Sequence, residues 1–264
     1  MKTNWQGKIA LITGASSGIG EAIARRLAAE GMHVLLTARR QHMLKNIVNQ
    51  IRQLGGYADY YEANLSDESQ CLHLYSQVLE NHGQIDVLVN NAGLGWYGYG
   101  AEMPWKVAVE MLQVNITAAV HFTLLTLQMM RERNEGHIIN IGSIIGSLPS
   151  QGAALYGATK SFLDHYTTAL YRELSGTRVH ISIVRAGPVL TEFCQSAASL
   201  PGGLHLPTEH VGITSKLVAD RVWGLILRPH RVIYVPRHLF ITPWLETYFG
   251  WLIDRLGPLL LKKA

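Results

Sequence analysis

The stretch Lys8-Ile9-Ala10-Leu11-Ile12-Thr13, followed at once by Gly14-Ala15-Ser16-Ser17-Gly18-Ile19-Gly20, decides the fold. Its first six residues read as a short buried strand and the pattern from 18 to 30 as a helix, so strand passes to helix through a glycine-rich joint. Glycine permits a tight turn and lets backbone N–H groups approach a ligand closely. At a helix N-terminus those groups, together with the helix dipole, favour an anion such as a pyrophosphate. The spacing is G-x-x-x-G-x-G, not the G-x-G-x-x-G of the common dinucleotide turn. A plain glycine turn would satisfy the same backbone demands, so the motif needs support from the rest of the chain.

The pattern repeats outward. Residues 33–38 read as a second strand with a helix reaching about 54, residues 57–62 as a third with a helix from about 67 to 81, and 85–89 as a fourth. A long helical region over 103–131 precedes a fifth strand at 137–141. A helix at 153–175 precedes a sixth at 179–184, and 231–235 reads as the seventh. Strands alternating with helices predict βαβ units and a parallel sheet. Ile85-Asp86-Val87-Leu88-Val89 is nearly all apolar, as a strand buried on both faces requires. The expectation is a three-layer α/β fold, doubly wound and Rossmann-like, with seven parallel strands. No linker or internal repeat interrupts the series, so residues 1–264 read as a single domain, with an irregular insertion at 192–215 and an apolar appendage at 237–264.

Composition narrows the function. Of the 264 residues 48% are hydrophobic and 16% charged, against about 25% charged in an average soluble domain, which excludes a disordered chain. The formal net charge is +4 without a run of five like charges, so no basic arm for nucleic acid is expected. Two cysteines, Cys71 and Cys194, cannot build a disulfide framework or a four-ligand zinc site. They point to a reducing, cytoplasmic compartment, and no metal is expected. Met1 to Gly7 is polar and unlike a signal peptide, and no stretch reaches the ~18 uncharged apolar residues of a membrane span.

Chemistry-bearing residues gather where the strands end. Ala38-Arg39-Arg40 closes the second strand, where a dinucleotide site recognises the ribose. A carboxylate there would bind a free 2′-hydroxyl, whereas a guanidinium pairs with a 2′-phosphate. NADP(H) is therefore expected over NAD(H), with Arg39 the first candidate and Arg40 the second. Tyr156 and Lys160 stand four apart on a helix and so share one face. A phenol with a pKa near 10 is a poor proton shuttle at neutral pH, and a nearby ammonium favours its phenolate. Lowering it by about three units needs roughly 4 kcal/mol. Ser143 follows the fifth strand, 13 residues before Tyr156, and Asn90-Asn91-Ala92-Gly93 ends the fourth at the same carboxyl edge, where open α/β sheets bind ligands. Asn115 lies in the long helical region.

With these elements in this order over about residues 6–191, the sequence resembles the short-chain dehydrogenase/reductase family, of the shorter single-domain kind. The resemblance rests on Gly14, Gly18 and Gly20, Asn91-Ala92-Gly93, Asn115, Ser143 and Tyr156-Gly157-Ala158-Thr159-Lys160. It implies a proton and hydride transfer. Tyr156 would give a proton to a substrate carbonyl oxygen, or take one from the alcohol, while Ser143 hydrogen-bonds that oxygen. Lys160 would lower the Tyr156 pKa and hold the nicotinamide ribose, and Asn115 would hold, through its backbone, a water that links Lys160 to solvent. Gly14, Ser16, Ser17, Gly18, Ile19 and Gly20 would form the phosphate turn, and Asn91, Ala92 and Gly93 would meet the adenosine-side ribose. Where the family often has an Asp after the third strand, this chain has Asn64-Leu65, still able to meet adenine through an amide. Ala186-Gly187-Pro188 replaces the usual Pro-Gly, while Val189 and Thr191 match the positions that meet the carboxamide. The other reading is a non-catalytic NADP(H)-binding sensor or scaffold of the same fold.

The substrate loop is expected at 192–215, where Phe193, Leu200, Leu204 and Leu206 suggest a small apolar carbonyl or alcohol: a steroid-like or long-chain ketone, an aldehyde or a quinone-like carbonyl. The same leucines would also suit a core cover. Beyond Pro236, Trp244, Tyr248 and Trp251 with Leu245 and Leu252 fall three or four apart between Pro243 and Pro258, and Lys262-Lys263 closes the chain. Two readings stay open, a peripheral membrane contact and a stripe packed on the chain's own core or a neighbouring subunit. His205 and His210 read as surface residues. The helices at 103–131 and 153–175 resemble those through which the family forms homodimers and homotetramers.

Overall fold

The computed structural model describes residues 5–203 and 212–260; Leu204, His205, Leu206, His210, Lys262 and Lys263 lie outside that range. Seven strands, β1 (Ile9–Thr13), β2 (His33–Ala38), β3 (Tyr57–Glu62), β4 (Val87–Asn90), β5 (Gly136–Ser143), β6 (Val179–Ala186) and β7 (Val232–Val235), make one sheet in the order β3-β2-β1-β4-β5-β6-β7. Every neighbouring pair is parallel. Because side chains alternate along a strand, the apolar runs feed two cores. Ala10, Ile12, Val34, Leu36, Val87 and Val89 pack on one face beneath α1 (Gly18–Ala29), α2 (Gln41–Gln53) and α8 (Ser215–Leu227). Leu11, Leu35, Leu88 and Ile138 pack on the other beneath α3 (Glu68–His82), α5 (Ala119–Arg133) and α6 (Ala154–Glu173).

β1 lies between β2 and β4, so the chain winds away from it in both directions. Loops at the carboxyl ends of β1 and β4 therefore diverge and leave a crevice, the usual ligand position of such sheets. Beside it a buried polar network ties β4 to β5, α5 and α6: Asn90 Nδ2 donates to Asn140 Oδ1 (2.9 Å) and Thr123 Oγ1 (2.9 Å), and Asn140 Nδ2 donates to Thr167 Oγ1 (2.8 Å). At the opposite end, Asp86 accepts from the Ile9 N–H at 2.8 Å and from Lys8 Nζ at 3.2 Å, which is why an acid can stand beside a buried strand.

The structure refines the expected elements. The region 103–131 is α4 (Trp105–Leu112), a π-helical turn (Gln113–Ala118) and α5. Trp105–Arg133 is long and apolar enough to cross a membrane, yet it is the crossover between β4 and β5, with Met111, Phe122 and Met130 buried in the cores. β5 and β6 run on to Ser143 and Ala186, bringing both residues to the crevice rim within the sheet. The segment expected to be irregular opens with α7 (Glu192–Ser199), whose N-cap Thr191 Oγ1 accepts from the Phe193 N–H. α8 is an element that sequence patterning does not place. The last helix, α9 (Thr242–Leu260), starts with Pro243 in its first turn, where the missing N–H costs nothing.

Candidate active site

The glycine turn is shaped by close approach. Gly14 and Gly18 have φ of +63° and +62°, a region that side chains disfavour. A Cβ on Gly14 would lie 2.7 Å from Ala92 Cα, and one on Gly20 would lie 2.5 Å from the Gly14 carbonyl and 2.6 Å from Asn91 Nδ2. Thr13 draws the two strand ends together: its Oγ1 accepts from the Asn91 and Ala92 N–H groups, both at 3.0 Å. The Asn91 side chain is itself held, Nδ2 donating to the carbonyls of Thr13 (2.9 Å) and Gly14 (3.1 Å). Gly18 faces Thr191, which reaches across from the loop after β6.

The arginines after β2 diverge. Arg40 donates to Ser16 Oγ from Nε (3.2 Å) and from a terminal nitrogen (3.0 Å), to Ser17 Oγ (2.7 Å) and to Glu192 (2.9 Å). Arg39 instead reaches Glu110 on α4 at 2.8 Å. Of the two, the first candidate from sequence is drawn to α4, and the second stands on the turn. Asn64 Oδ1 accepts from Ser66 N–H (3.3 Å) and Oγ (3.0 Å), while Leu65 is buried beside it.

α6 carries Tyr156 and Lys160 into the same crevice, one turn apart. Ser143, at the end of β5, hydrogen-bonds the Tyr156 phenol. Lys160 Nζ lies 5.8 Å from the Tyr156 ring centroid and donates to the Ile141 carbonyl at 2.9 Å. Asn115 sits behind them in the π turn: Oδ1 accepts from the Leu94 N–H (2.7 Å), and Nδ2 donates to the Leu94 carbonyl (2.9 Å) and Thr159 Oγ1 (3.0 Å). A methyl at Gly93 would lie 3.5 Å from Asn115 Oδ1 and 3.6 Å from Lys160 Nζ, so this glycine keeps open the space between them. Single π turns inside α-helices commonly mark functional positions.

Burial decides the acidities. Enclosure pushes the Tyr156 phenol above its ordinary value; the Ser143 hydrogen bond opposes this and Cys194 adds to it. Enclosure lowers Lys160 to about 8, with Asp164 acting in the opposite sense. Burial penalises the charged form of each group, so the phenol is raised and the amine lowered. A raised phenol keeps its proton at neutral pH.

A cleft of about 590 Å³ joins these features. It is lined by the turn residues Gly14, Ser16, Ser17, Gly18 and Ile19, by both arginines, and by Ser143, Tyr156 and Lys160. Asn64, Leu65, Asn91, Ala92, Gly93, Val189 and Thr191 line it too. Gly20 and Asn115 are the expected residues that do not: one packs under the turn and the other behind the lysine. Sequence reading missed Tyr97 and Cys194, which also line the cleft. The Tyr97 ring meets Tyr156 edge-on at 5.9 Å and Phe193 lies 5.6 Å from it on the other side. The glycines of Gly93–Gly100 were the available signal. A Cβ on Gly95 would strike the Phe193 ring at 2.7 Å, and one on Gly98 the Trp96 ring at 2.5 Å. Away from the crevice, His33, Asp59 and His82 gather their ligand atoms within 4.8 Å, a group no spacing predicted. Each is already engaged, His33 with Asp59 (2.7 Å), His82 with the Tyr61 hydroxyl (2.8 Å) and Asp59 with Arg52.

A parallel sheet with a glycine-lined crevice, and a tyrosine–lysine pair and serine at its carboxyl rim, defines a Rossmann-type oxidoreductase. The sequence matches the short chain dehydrogenase family over residues 8–200, and the chain belongs to that family. It is 34% identical to the NADP-dependent 3-hydroxy acid dehydrogenase YdfG of Shigella flexneri over 94% of this chain and 99% of that protein. It is 32% identical to the ketoacyl reductase HetN of a Nostoc species over 87% of this chain and 82% of that protein. Among solved structures, a short-chain dehydrogenase/reductase from Burkholderia phymatum in complex with NAD superposes with a TM-score of 0.85 at 26% identity, covering 95% of this chain and 96% of the other. The closed form of serine dehydrogenase complexed with NADP+ gives 0.78 at 31% identity, covering 86% and 93%.

Proposed function

We propose that the protein is an NADP(H)-dependent oxidoreductase that interconverts a carbonyl and an alcohol on a small apolar molecule. The observation that carries this reading is the convergence of Ser143, Tyr156 and Lys160 on the cleft whose other end is the glycine turn. The residues suit the dinucleotide: Gly14 and Gly18 leave a cradle that a Cβ would fill, and Arg40 with Ser16 and Ser17 presents a guanidinium and two hydroxyls where a 2′-phosphate is expected. Arg39, Asn64 and Leu65 would flank the adenine side, Asn91, Ala92 and Gly93 the ribose, and Val189 and Thr191 the carboxamide. Relatives and solved structures named for NADP support the same choice.

When bound, the cofactor supplies the hydride. The chain's own residues handle the proton and the developing charge. Tyr156, protonated at neutral pH, donates from its hydroxyl to the substrate carbonyl oxygen, and Ser143 hydrogen-bonds that oxygen as negative charge grows on it. Lys160 would hold the nicotinamide ribose and would pass a proton back to Tyr156, resupplied through the space that Gly93 leaves beside Asn115. Tyr97, Phe193, Trp96 and Leu200 exclude water and favour an apolar substrate. Relatives named for 3-hydroxy acids offer a second class of substrate. Lys160, Arg39 and Arg40 are the basic residues among the described cleft lining; Lys160 donates to the Ile141 carbonyl and both arginines are paired with acids, so a neutral carbonyl suits this site better than a carboxylate. NADPH oxidation with matched neutral ketones and 3-oxo acids tests this. Turnover of the neutral series is expected; a preference for the acids would overturn the substrate class, and turnover of neither would favour a non-catalytic NADP(H) binder.

We read the whole chain as one such unit. Its free cysteines, Cys71 and Cys194, suit a reducing, cytoplasmic setting. Exposed Leu124 on α5 and Phe162 and Tyr171 on α6 suit a homodimer or homotetramer through these helices, which sedimentation would test.

A further inference from the structure

α9 leaves the body of the protein through the 3-10 turn Arg237–Ile241 and packs on that turn. Trp244, Tyr248 and Trp251 are 56%, 62% and 65% exposed, and Phe240, Phe249 and Leu256 are also largely in water. The Trp244 and Tyr248 rings stack with centroids 6.0 Å apart. At about 100° per residue, Trp244, Tyr248, Trp251 and Arg255 fall along one line with Leu245, Leu252 and Leu256 beside it. Glu246, Thr247, Gly250 and Asp254 collect on the opposite side. The helix is amphipathic, but its apolar side is not against a core. An apolar surface of this extent, left in water, marks a docking site.

Charge selects the occupant. From Arg231 to the C-terminus, five basic residues (Arg231, Arg237, Arg255, Lys262 and Lys263) stand against two acids (Glu246 and Asp254). Most of the chain's formal +4 is therefore concentrated in its last part. On α9 itself the acids Glu246 and Asp254 lie on the polar side while Arg255 stands in the aromatic line, so an anionic bilayer supplies the opposite sign to the side that docks. Tryptophan and tyrosine rings settle at headgroup depth, apolar body down and polar atom towards water, and an arginine among them snorkels to the phosphates. We propose that α9 is an interfacial helix that docks the protein on anionic lipid, lying in the membrane plane with Trp244, Tyr248 and Trp251 in the headgroup region. A Cβ on Gly187, in the loop that lines the cleft, would lie 2.8 Å from Leu239 Cδ1 in the turn before α9, so the docked helix would hold the cleft close to the bilayer. The proposal is independent of which carbonyl is reduced.

The test is co-sedimentation of the full chain with phosphatidylcholine vesicles, with and without phosphatidylglycerol. Binding to the anionic vesicles is expected, weakened by salt, and at least about tenfold weaker in a Trp244→Ala/Tyr248→Ala/Trp251→Ala variant whose solution turnover is unchanged. The wild-type chain also gives a readout that needs no variant: brominated acyl chains in anionic vesicles should quench its tryptophan emission. Failure of the wild type to sediment with anionic vesicles, equal binding by the variant, or no quenching would each overturn the proposal. A wild type that stays off vesicles but forms a larger oligomer than the variant would overturn it in favour of a second copy as the occupant.

Discussion

At one end of the crevice Thr13 Oγ1 holds the Asn91 and Ala92 N–H groups at 3.0 Å each, and Gly20 leaves no room for a methyl. At the other, the Tyr97 and Phe193 rings flank Tyr156 at 5.9 and 5.6 Å, with few directed bonds among them. The first end is set by backbone contour and hydrogen bonds, which tolerate shifts of a few tenths of an ångström. The second is set by ring faces and apolar volume, which many arrangements can fill. Under the proposed function a phosphate-bearing ligand meets the former and an apolar one the latter, so substitutions at the two ends should fail in different ways.

The sharpest break is at the junction of the two ends. Tyr156→Phe removes the proton donor and keeps the ring, so kcat should fall by about 10²–10⁴ with little change in cofactor affinity; stopped-flow turnover and cofactor titration would show the split. An unchanged kcat would end the assignment of Tyr156 as the donor. At the turn, Arg40→Ala should raise the Michaelis constant for NADPH by about 10–100-fold, the loss of a charged hydrogen-bond set worth about 1.5–3 kcal/mol, and leave that for NADH nearly unchanged. Arg39→Ala should do less, because Arg39 is drawn to Glu110. The reverse order would show that Arg39 swings to the phosphate and that sequence ranked the pair correctly.

The pH profile follows from the lysine. Burial places Lys160 at about 8, so it carries its proton below that value and loses it above. Carbonyl reduction should hold on the acid side and decline as pH rises through about 8, measured as kcat/KM. A profile flat from neutral to pH 10 would remove Lys160 from the proton path. The smallest effect belongs to the aromatic end. Phe193→Ala should raise KM for an apolar ketone about tenfold, from the loss of about 1–2 kcal/mol of ring burial, and leave NADPH binding intact. An equal loss on both ligands would mean that Phe193 supports the turn through Thr191 and not the substrate.

Much of the crevice was legible in the chain because its determinants are local. Gly14, Gly18 and Gly20 must lie in one turn, Tyr156 and Lys160 share a face by helical period, and Ser143 ends a strand whose apolar run is visible in sequence. Ranking Arg39 above Arg40 was a matter of position along the strand, whereas the actual placement depends on Ser16, Ser17 and Glu110, which are distant in sequence and adjacent in space. Tyr97 was hidden for the same reason. It looks like any loop aromatic until the β4 and β6 loops meet.

By itself, then, the sequence determined the parallel doubly wound sheet, the glycine turn and the tyrosine–lysine–serine set. Each follows from hydrophobic period, backbone freedom or residue spacing over a few turns. Only the tertiary structure decided which arginine stands on the turn, which rings wall the other end of the cleft, and that burial raises Tyr156 and lowers Lys160. Those outcomes depend on burial and on contacts between distant segments, and desolvation exists only once the chain has closed around the site.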